Sequence, residues 1–309
     1  MTFLSIILTL NSTLSSSISS GSISVIATTF GVTDENQLVL PISVFLIGYI
    51  LGPLFLAPLS EIYGRRPVLL YSFVVFVLFS LGTAVVNEFP GLLVLRFLTG
   101  TAASAPLAIV GAVYADCFPN AIHRGRIMAL FGAGTTLGPT LSPVISGFLG
   151  KVSWRWPFWF TVIFGGVTLA PVIFWPESFP PIILAKRAAR MRKEQGRDDI
   201  VAADDPANID KWEMFTVTLV RPVTMCFTEP IVSSVSLYMA FLYAVLYMFF
   251  QAYPIIFKGM PNILLHLKLF TSILTAFAEM YDFPPGIDGL PYLPSKLMKS
   301  RRQVNFPKV

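Results

Sequence analysis

The sequence predicts an all-α integral membrane protein, and its composition, its segment lengths and the placement of its charges lead to this class. Hydrophobic residues make up 54% of the chain, and the mean hydropathy is +0.70. Charged residues make up only 13%, about half the share usual in soluble domains. A soluble protein of this size would have too little polar surface to cover its core. Lipid is therefore the expected solvent.

Seven segments are long and apolar enough to span a bilayer, which takes about 20 residues of helix. They are Phe3–Phe30, Leu38–Leu59, Val68–Val86, Leu92–Tyr114, Ile127–Gly150, Pro157–Trp175 and Ile231–Phe257. The connectors after the second, fourth and sixth segments carry most of the loop Lys and Arg, whereas those after the first and third carry none. The positive-inside rule then places the N-terminus and the long loop after the sixth segment in the cytoplasm.

These boundaries divide the chain into four regions. Residues 1–175 hold six spans, 176–221 form a basic central loop, 222–258 hold the seventh span, and 259–309 form an atypical tail. The stretch AKRAARMRKEQGR in the loop has helical propensity and lies either on the inner leaflet or in solvent as a linker. In the tail, Met260–Ala278 is apolar but contains His266 and Lys268, so an eighth span and an interfacial helix both remain open.

A short turn joins the second and third segments, in the stretch APLSEIYGRRP. Gly64 permits a tight turn, and Arg65 and Arg66 anchor it at the lipid headgroups. Glu61 is placed to pair with an arginine or to interact with a helix N-terminus. Taken alone, such a basic turn indicates only membrane orientation.

Arg96 is the strongest single signal, because it lies inside the fourth segment. Insertion scales put the cost of a charge at the centre of a spanning helix at about 2.5–3.5 kcal/mol. Arginines in such positions face a cavity or a partner and mark functional sites. The alternative is that the side chain extends along the helix to the interface.

The fifth segment places small residues four apart, at Gly134 and Gly138, and contains Pro139 and Pro143. Small residues at this spacing let helices approach closely, and prolines free backbone carbonyl groups. The pattern suits a helix that flexes between two states, and ordinary close packing is the alternative.

The seventh segment spaces tyrosines along an apolar rod, and Tyr243 and Tyr247 are candidates to present hydroxyl groups to a cavity. Tyr253 and Tyr238 fit the aromatic belts of the membrane interfaces instead. The sequence contains no phosphate-binding loop, metal cluster or nucleophile with its base. We therefore expect no enzyme, no cofactor, no ATP-driven pump and no nucleic-acid partner.

Several of these motifs, in this order, resemble the major facilitator superfamily, and most closely its fungal drug:proton antiporter branch. APLSEIYGRRPV is similar to the branch's loop motif, with Ala57 where the general motif has Gly and Glu61 where it has Asp. RFLTG, from Arg96 to Gly100, resembles its helix-four motif, and LGPTLSPVISGF resembles its helix-five antiporter motif. The stretches around WRW and PESFPPIILAKRAARMRK also match. The resemblance covers Phe3 to Lys258.

The resemblance implies a proton-coupled exporter of a drug, polyamine or toxin, monomeric and multi-pass in the plasma membrane. Its partners would be the lipid bilayer, a small organic substrate and protons. It implies the following roles: Arg96, Gly100 and Asp116 in proton coupling and transport; Glu61, Gly64, Arg65 and Arg66 in an inner gate; Gly134, Gly138, Pro139 and Pro143 in the helix-five motif; Tyr243 and Tyr247 at the cavity. A proton-independent facilitator for polar solutes is a rival, which the Gly-Pro pattern of the fifth segment disfavours.

The chain departs from the family pattern after Lys258. The family has twelve helices in two halves around a central cavity, whereas this sequence predicts the N-terminal six-helix half and the first helix of the second half. Met260–Ala278 has no recognised counterpart, and Leu290–Pro294 resembles the start of helix eight. We expect a C-terminally truncated chain that results from a retained intron or a faulty gene model, and a non-transporting membrane polypeptide is the alternative to a transporter.

Overall fold

Helices alone make up the regular secondary structure of the described part of the chain. The computed structural model describes residues 2–32, 34–195, 219–220 and 223–256. These residues fall in one compact unit, Met1–Lys258, and Gly259–Val309 form a second unit outside the described residues. The segment Met260–Ala278, for which a span and an interfacial helix were both open, and the resemblance at Leu290–Pro294 therefore also lie outside them.

The helices follow the predicted segments in order. Their bounds are α1 Thr2–Ser17, α2 Ile23–Phe30, α3 Glu35–Tyr63, α4 Arg65–Val85, α5 Phe89–Ala103, α6 Ala105–Cys117, α7 Ala121–Leu149, α8 Trp156–Ile173, α9 Pro180–Gln195 and α10 Pro230–Ile256. The helix expected at the start of the central loop is present as α9 and begins earlier than AKRAARMRKEQGR, at Pro180.

Two predicted segments are broken rather than continuous. The first divides into α1 and α2 around a 3-10 turn at Ser20–Ser22, where Gly21 and its serine neighbours have low helix propensity. The fourth divides at Ser104 into α5 and α6. Pro106 lies at the start of α6, and its missing N–H and its ring disfavour an unbroken helix through this point.

Five helical stretches of the described residues are long and apolar enough to cross a membrane. They are Asn36–Tyr63, Arg65–Val85, Phe89–Cys117, Trp156–Ile173 and Pro230–Met248. The first predicted segment is not among them because α1 and α2 have only 16 and 8 residues. α7 has 29 residues, but its Gly, Pro, Ser, Thr and initial basic residues lower its hydropathy. The multi-pass membrane class is confirmed.

The six predicted spans of residues 1–175 contain α1 to α8, and we call this part of the chain the six-helix region. Its helices are closely packed. α1 packs against α7, α3 against α5, and α4 against α5 and α8. Buried aromatic side chains such as Phe45, Phe73 and Phe76 fill the space between these helices. At Gly100 the α5 backbone approaches α3 so closely that a Cβ atom would lie 3.0 Å from the carbonyl carbon of Phe45. Such contacts are the usual basis of helix association in lipid.

Candidate functional site

Arg96 is buried inside the helix bundle, where only 1% of its surface is exposed. Its Nη1 donates to the carbonyl oxygen of Ser15 at 2.9 Å, and its Nη2 to that of Ser16 at 3.1 Å. Its Nη2 also donates to Ser19 Oγ at 3.2 Å, and its Nε to the carbonyl oxygen of Pro41 at 3.0 Å. We call these five residues the Arg96 cluster. The side chain is therefore enclosed by the bundle and does not extend along the outside of its helix.

The end of α1 explains why a cation is accommodated here. α1 ends at Ser17, so the carbonyl groups of its last turn lack intrahelical partners and carry the negative end of the helix dipole. The guanidinium group also lies over the rings of Phe45 and Phe158, with its carbon 4.5 and 5.6 Å from their centroids. The break that interrupts the first segment thus creates the binding site for Arg96.

The structure separates Asp116 from Arg96, although the sequence motifs associate them. Gly100 lies one turn after Arg96 and packs on Phe45, a ring that Arg96 also contacts. Asp116 lies at the other end of this helical segment and forms an ion pair with Arg65, with Oδ2 3.5 Å from Nε. Asp116 therefore belongs with the turn between α3 and α4, directly before Arg65.

A second cluster surrounds the turn between α3 and α4, which we call the turn cluster: Ser60, Gly64, Arg65, Arg66, Asp116 and Glu177. Gly64 has a φ of 103°, a conformation that strains any residue with a side chain. Arg65 Nη1 donates to Ser60 Oγ at 2.8 Å, and Arg66 Nη2 donates to the carbonyl oxygen of Ile173 at 2.8 Å. The turn is thus joined to α6 and to the end of α8, while Glu61 lies half-buried in the last turn of α3.

Glu177 and Ser60 are the residues of this cluster that sequence reasoning did not assign, and Glu177 makes the larger number of contacts with the turn. Its Oε1 accepts the backbone N–H of Arg65 at 3.0 Å, and its Oε2 accepts that of Arg66 at 3.3 Å. α4 has no N-cap side chain of its own, so a carboxylate far along the chain satisfies its first N–H groups. The acid in PESFPP, directly after the sixth segment, was the available signal.

We expect Glu177→Gln to lower the free energy of unfolding by about 1 kcal/mol, because the amide lacks the charge and one acceptor that the α4 N-terminus uses. The measurement is SDS-induced unfolding followed by circular dichroism. Glu194→Gln, at an exposed position in α9, is the matched control. Equal midpoints for the two variants would show that Glu177 does not stabilise the turn.

The motif of the fifth predicted segment, which we call the helix-five motif, lies in α7 and faces α1. A Cβ atom on Gly138 would lie 2.8 Å from the backbone nitrogen of Leu14, and Gly134 similarly packs on Ile6. Pro143 has no N–H, so the carbonyl group of Pro139, four residues earlier, loses its helical partner. Ser17 Oγ donates to that carbonyl at 3.1 Å. The motif therefore fixes α7 against the same end of α1 that binds Arg96.

Serines of α1 also meet tyrosines from three other helices. Ser5 hydrogen-bonds to Tyr114 of α6, Ser12 Oγ lies 3.3 Å from the hydroxyl oxygen of Tyr49 in α3, and Ser16 Oγ lies 2.8 Å from that of Tyr247 in α10. Tyr247 is thus in contact with the six-helix region, whereas Tyr243 is exposed. The sequence analysis assigned these serines no role.

Comparison with known proteins agrees with this architecture. A family model described as Major Facilitator Superfamily matches residues 5–281. The chain is 41% identical over 253 residues to "Efflux pump FUBT" of Fusarium oxysporum, covering 81% of this chain and 42% of that protein. It is 37% identical over 222 residues to "Multidrug transporter TPO1_2" of Candida glabrata, covering 71% of this chain and 38% of that protein.

Solved structures share the fold at lower sequence identity. A D-xylose–proton symporter superposes with a TM-score of 0.58 at 19% identity, covering 90% of this chain and 67% of the other. The chain spans about half the length of the curated relatives it matches. The likeness to the symporter concerns the arrangement of helices alone.

Proposed function

This chain belongs to the major facilitator superfamily, and from that premise we propose that the whole protein exports small organic compounds in exchange for protons. The efflux and multidrug functions named for the relatives support export of a drug, polyamine or toxin-like compound. Transport would follow alternating access, in which two helical halves rock about a site near the middle of the membrane.

The observation that carries the proposal is the burial of Arg96 in a spanning helix. All of its hydrogen-bond acceptors among the described residues are carbonyl or hydroxyl oxygens, so no carboxylate there neutralises it. In a medium of low dielectric constant, this positive charge disfavours a proton on any group brought close to it. Movement of the halves relative to Arg96 would thereby be linked to proton release.

The two other motifs are proposed to control the movement. Glu61, Gly64, Arg65 and Arg66 would form the inner gate, because the turn cluster joins the α3–α4 turn to α6 and to the segment after α8. Gly134, Gly138, Pro139 and Pro143 would keep α1 and α7 moving together. Tyr243 and Tyr247 would line the cavity from α10.

The remaining assignments follow from charge and family. We propose a monomer in the plasma membrane with its N-terminus and central loop in the cytoplasm, as the distribution of Lys and Arg favours. Residues 1–175 would form the six-helix half, 176–221 the basic loop, 222–258 the first helix of the second half, and 259–309 a distinct tail.

Transport is tested with the purified whole protein in liposomes that contain a pH-sensitive dye and an acidic interior. We expect entry of ethidium or radiolabelled spermidine coupled to loss of internal protons, relative to protein-free liposomes. Arg96→Lys should reduce this exchange about ten-fold, because losing guanidinium hydrogen bonds costs about 1.5–3 kcal/mol. Arg126→Lys, at an exposed position in α7, is the control.

The outcomes separate the rival functions. Probe entry without proton movement would overturn the antiport proposal in favour of a proton-independent facilitator. Entry of neither probe would contradict export of amphipathic or polyamine cations by the whole protein. Equal exchange by Arg96→Lys and the unsubstituted protein would contradict the role of Arg96.

A further inference from the structure

The described side chains of α10, at residues 230–248, bury little of their surface. Most of them are exposed, for example Met248 at 73%, and Leu246 at 9% is the buried one among these residues. The backbone of α10 also approaches the 3-10 turn that follows α1. Tyr247 adds the hydrogen bond to Ser16, and its position next to Leu246 places both contacts at one point of the helix.

Ser16 is the residue at which this contact meets the Arg96 cluster. Its hydroxyl group donates to the carbonyl oxygen of Thr13 at 2.6 Å, so its Oγ is left to accept the hydroxyl proton of Tyr247. Its own carbonyl oxygen accepts Arg96 Nη2 at 3.1 Å. One serine in the last turn of α1 therefore binds the buried cation with its backbone and α10 with its side chain.

This contact lies far from the turn cluster. Ser5, near the start of α1, bonds to Tyr114, which is two residues before the Asp116 of the turn cluster. Ser16 is eleven residues further along α1, which corresponds to about 16 Å of helix rise. The Ser16–Tyr247 contact and the turn cluster are therefore near opposite ends of α1.

We infer that Ser16 and Tyr247 are positioning residues that couple Arg96 to the contact between α10 and the six-helix region. The guanidinium group holds the last turn of α1 in place, and that turn presents the Ser16 hydroxyl to Tyr247. Displacement of Arg96 from these carbonyl groups releases the turn and weakens the contact with α10. The inference rests on the proposed function for its relevance to transport, but the coupling itself requires neither substrate nor proton gradient.

The coupling is tested by pulsed electron resonance distances in the 309-residue protein, embedded in lipid nanodiscs without substrate. Cys117 and Cys226 are replaced by serine, and spin labels are placed at Thr28→Cys in α2 and Met248→Cys in α10, which are both exposed. Tyr247→Phe and Ser16→Ala should each lower the ratio of close to separated populations about five-fold, the effect of one hydrogen bond. Ser16→Thr, which keeps the hydroxyl group, should restore the close population.

A double-mutant cycle distinguishes coupling from local packing. Arg96→Lys should shift the populations in the same direction, and adding Tyr247→Phe to it should produce little further change, because both act through Ser16. Phe241→Leu, at an exposed position of α10, should leave the distances unchanged. An unchanged distribution in Tyr247→Phe, or effects of Arg96→Lys and Tyr247→Phe that simply add, would overturn the inference. The distance measurement involves no transport, so its result stands even if the liposome assay fails.

Discussion

Arg96→Leu is expected to lower the free energy of unfolding by at least about 3 kcal/mol, because it leaves several buried backbone carbonyl groups without their donor. The carbonyl oxygens of Ser15 and Ser16 lie in the last turn of α1, where the helix supplies few N–H partners, and that of Pro41 lies in α3. One side chain thus ties α5 to both α1 and α3. Its loss should loosen two helix interfaces together.

The measurement is SDS-induced unfolding of purified protein, followed by circular dichroism. Arg126→Leu provides the matched control, since it makes the same chemical change at an exposed position and should alter stability by no more than about 0.5 kcal/mol. Arg96→Lys should fall between the two, because an ammonium group keeps the charge but not the planar fork that reaches several carbonyl groups. Similar midpoints for Arg96→Leu and Arg126→Leu would contradict a structural role of the Arg96 cluster.

Gly138→Ala is expected to destabilise the protein by about 1–3 kcal/mol, the range usual for overpacking a tight interface. The added Cβ atom would lie 2.8 Å from the backbone nitrogen of Leu14 and would also meet the side chain of Thr13. A backbone atom cannot rotate away as a side chain can, so α1 and α7 must separate. The same unfolding assay measures the change.

Gly132→Ala is the control on the same helix. A Cβ atom on Gly132 has open space around it, so the substitution should stabilise α7 by about 0.5–1 kcal/mol through helix propensity alone. A loss of stability in Gly138→Ala together with a gain in Gly132→Ala would separate the effect of the helix contact from the effect of helix propensity. A neutral or stabilising effect of Gly138→Ala would show that the α1–α7 contact is not as close as the structure indicates.

Much of the fold followed from local patterns. Apolar segment lengths and loop charges predicted a multi-pass helical protein, and the motifs from Gly64 to Pro143 indicated the family that the family match confirms. The breaks at Ser20–Ser22 and Ser104 did not follow. Hydropathy alone registers an apolar run and is insensitive to the backbone geometry within it, so α1 with α2 and α5 with α6 each looked like one helix.

The candidate site shows the same division. An arginine within an apolar segment was evident from the sequence, because the cost of its charge makes it conspicuous, whereas its burial was one of two alternatives. Its acceptors were not evident, since Ser15 and Ser16 precede it by 81 and 80 residues and no pattern joins them. Glu177 was missed for the same reason, as it caps α4 from 112 residues away.

The sequence by itself determined that lipid surrounds this protein, that the fold is helical, and which residues have a chemistry unusual for a membrane. These properties depend on side-chain hydrophobicity and charge, which every residue carries with it. The tertiary structure alone decided which groups meet: Arg96 with the end of α1, Asp116 with Arg65, Ser16 with Tyr247. Those contacts depend on where each helix breaks and how closely its glycines let neighbours approach, and packing of the whole bundle fixes both.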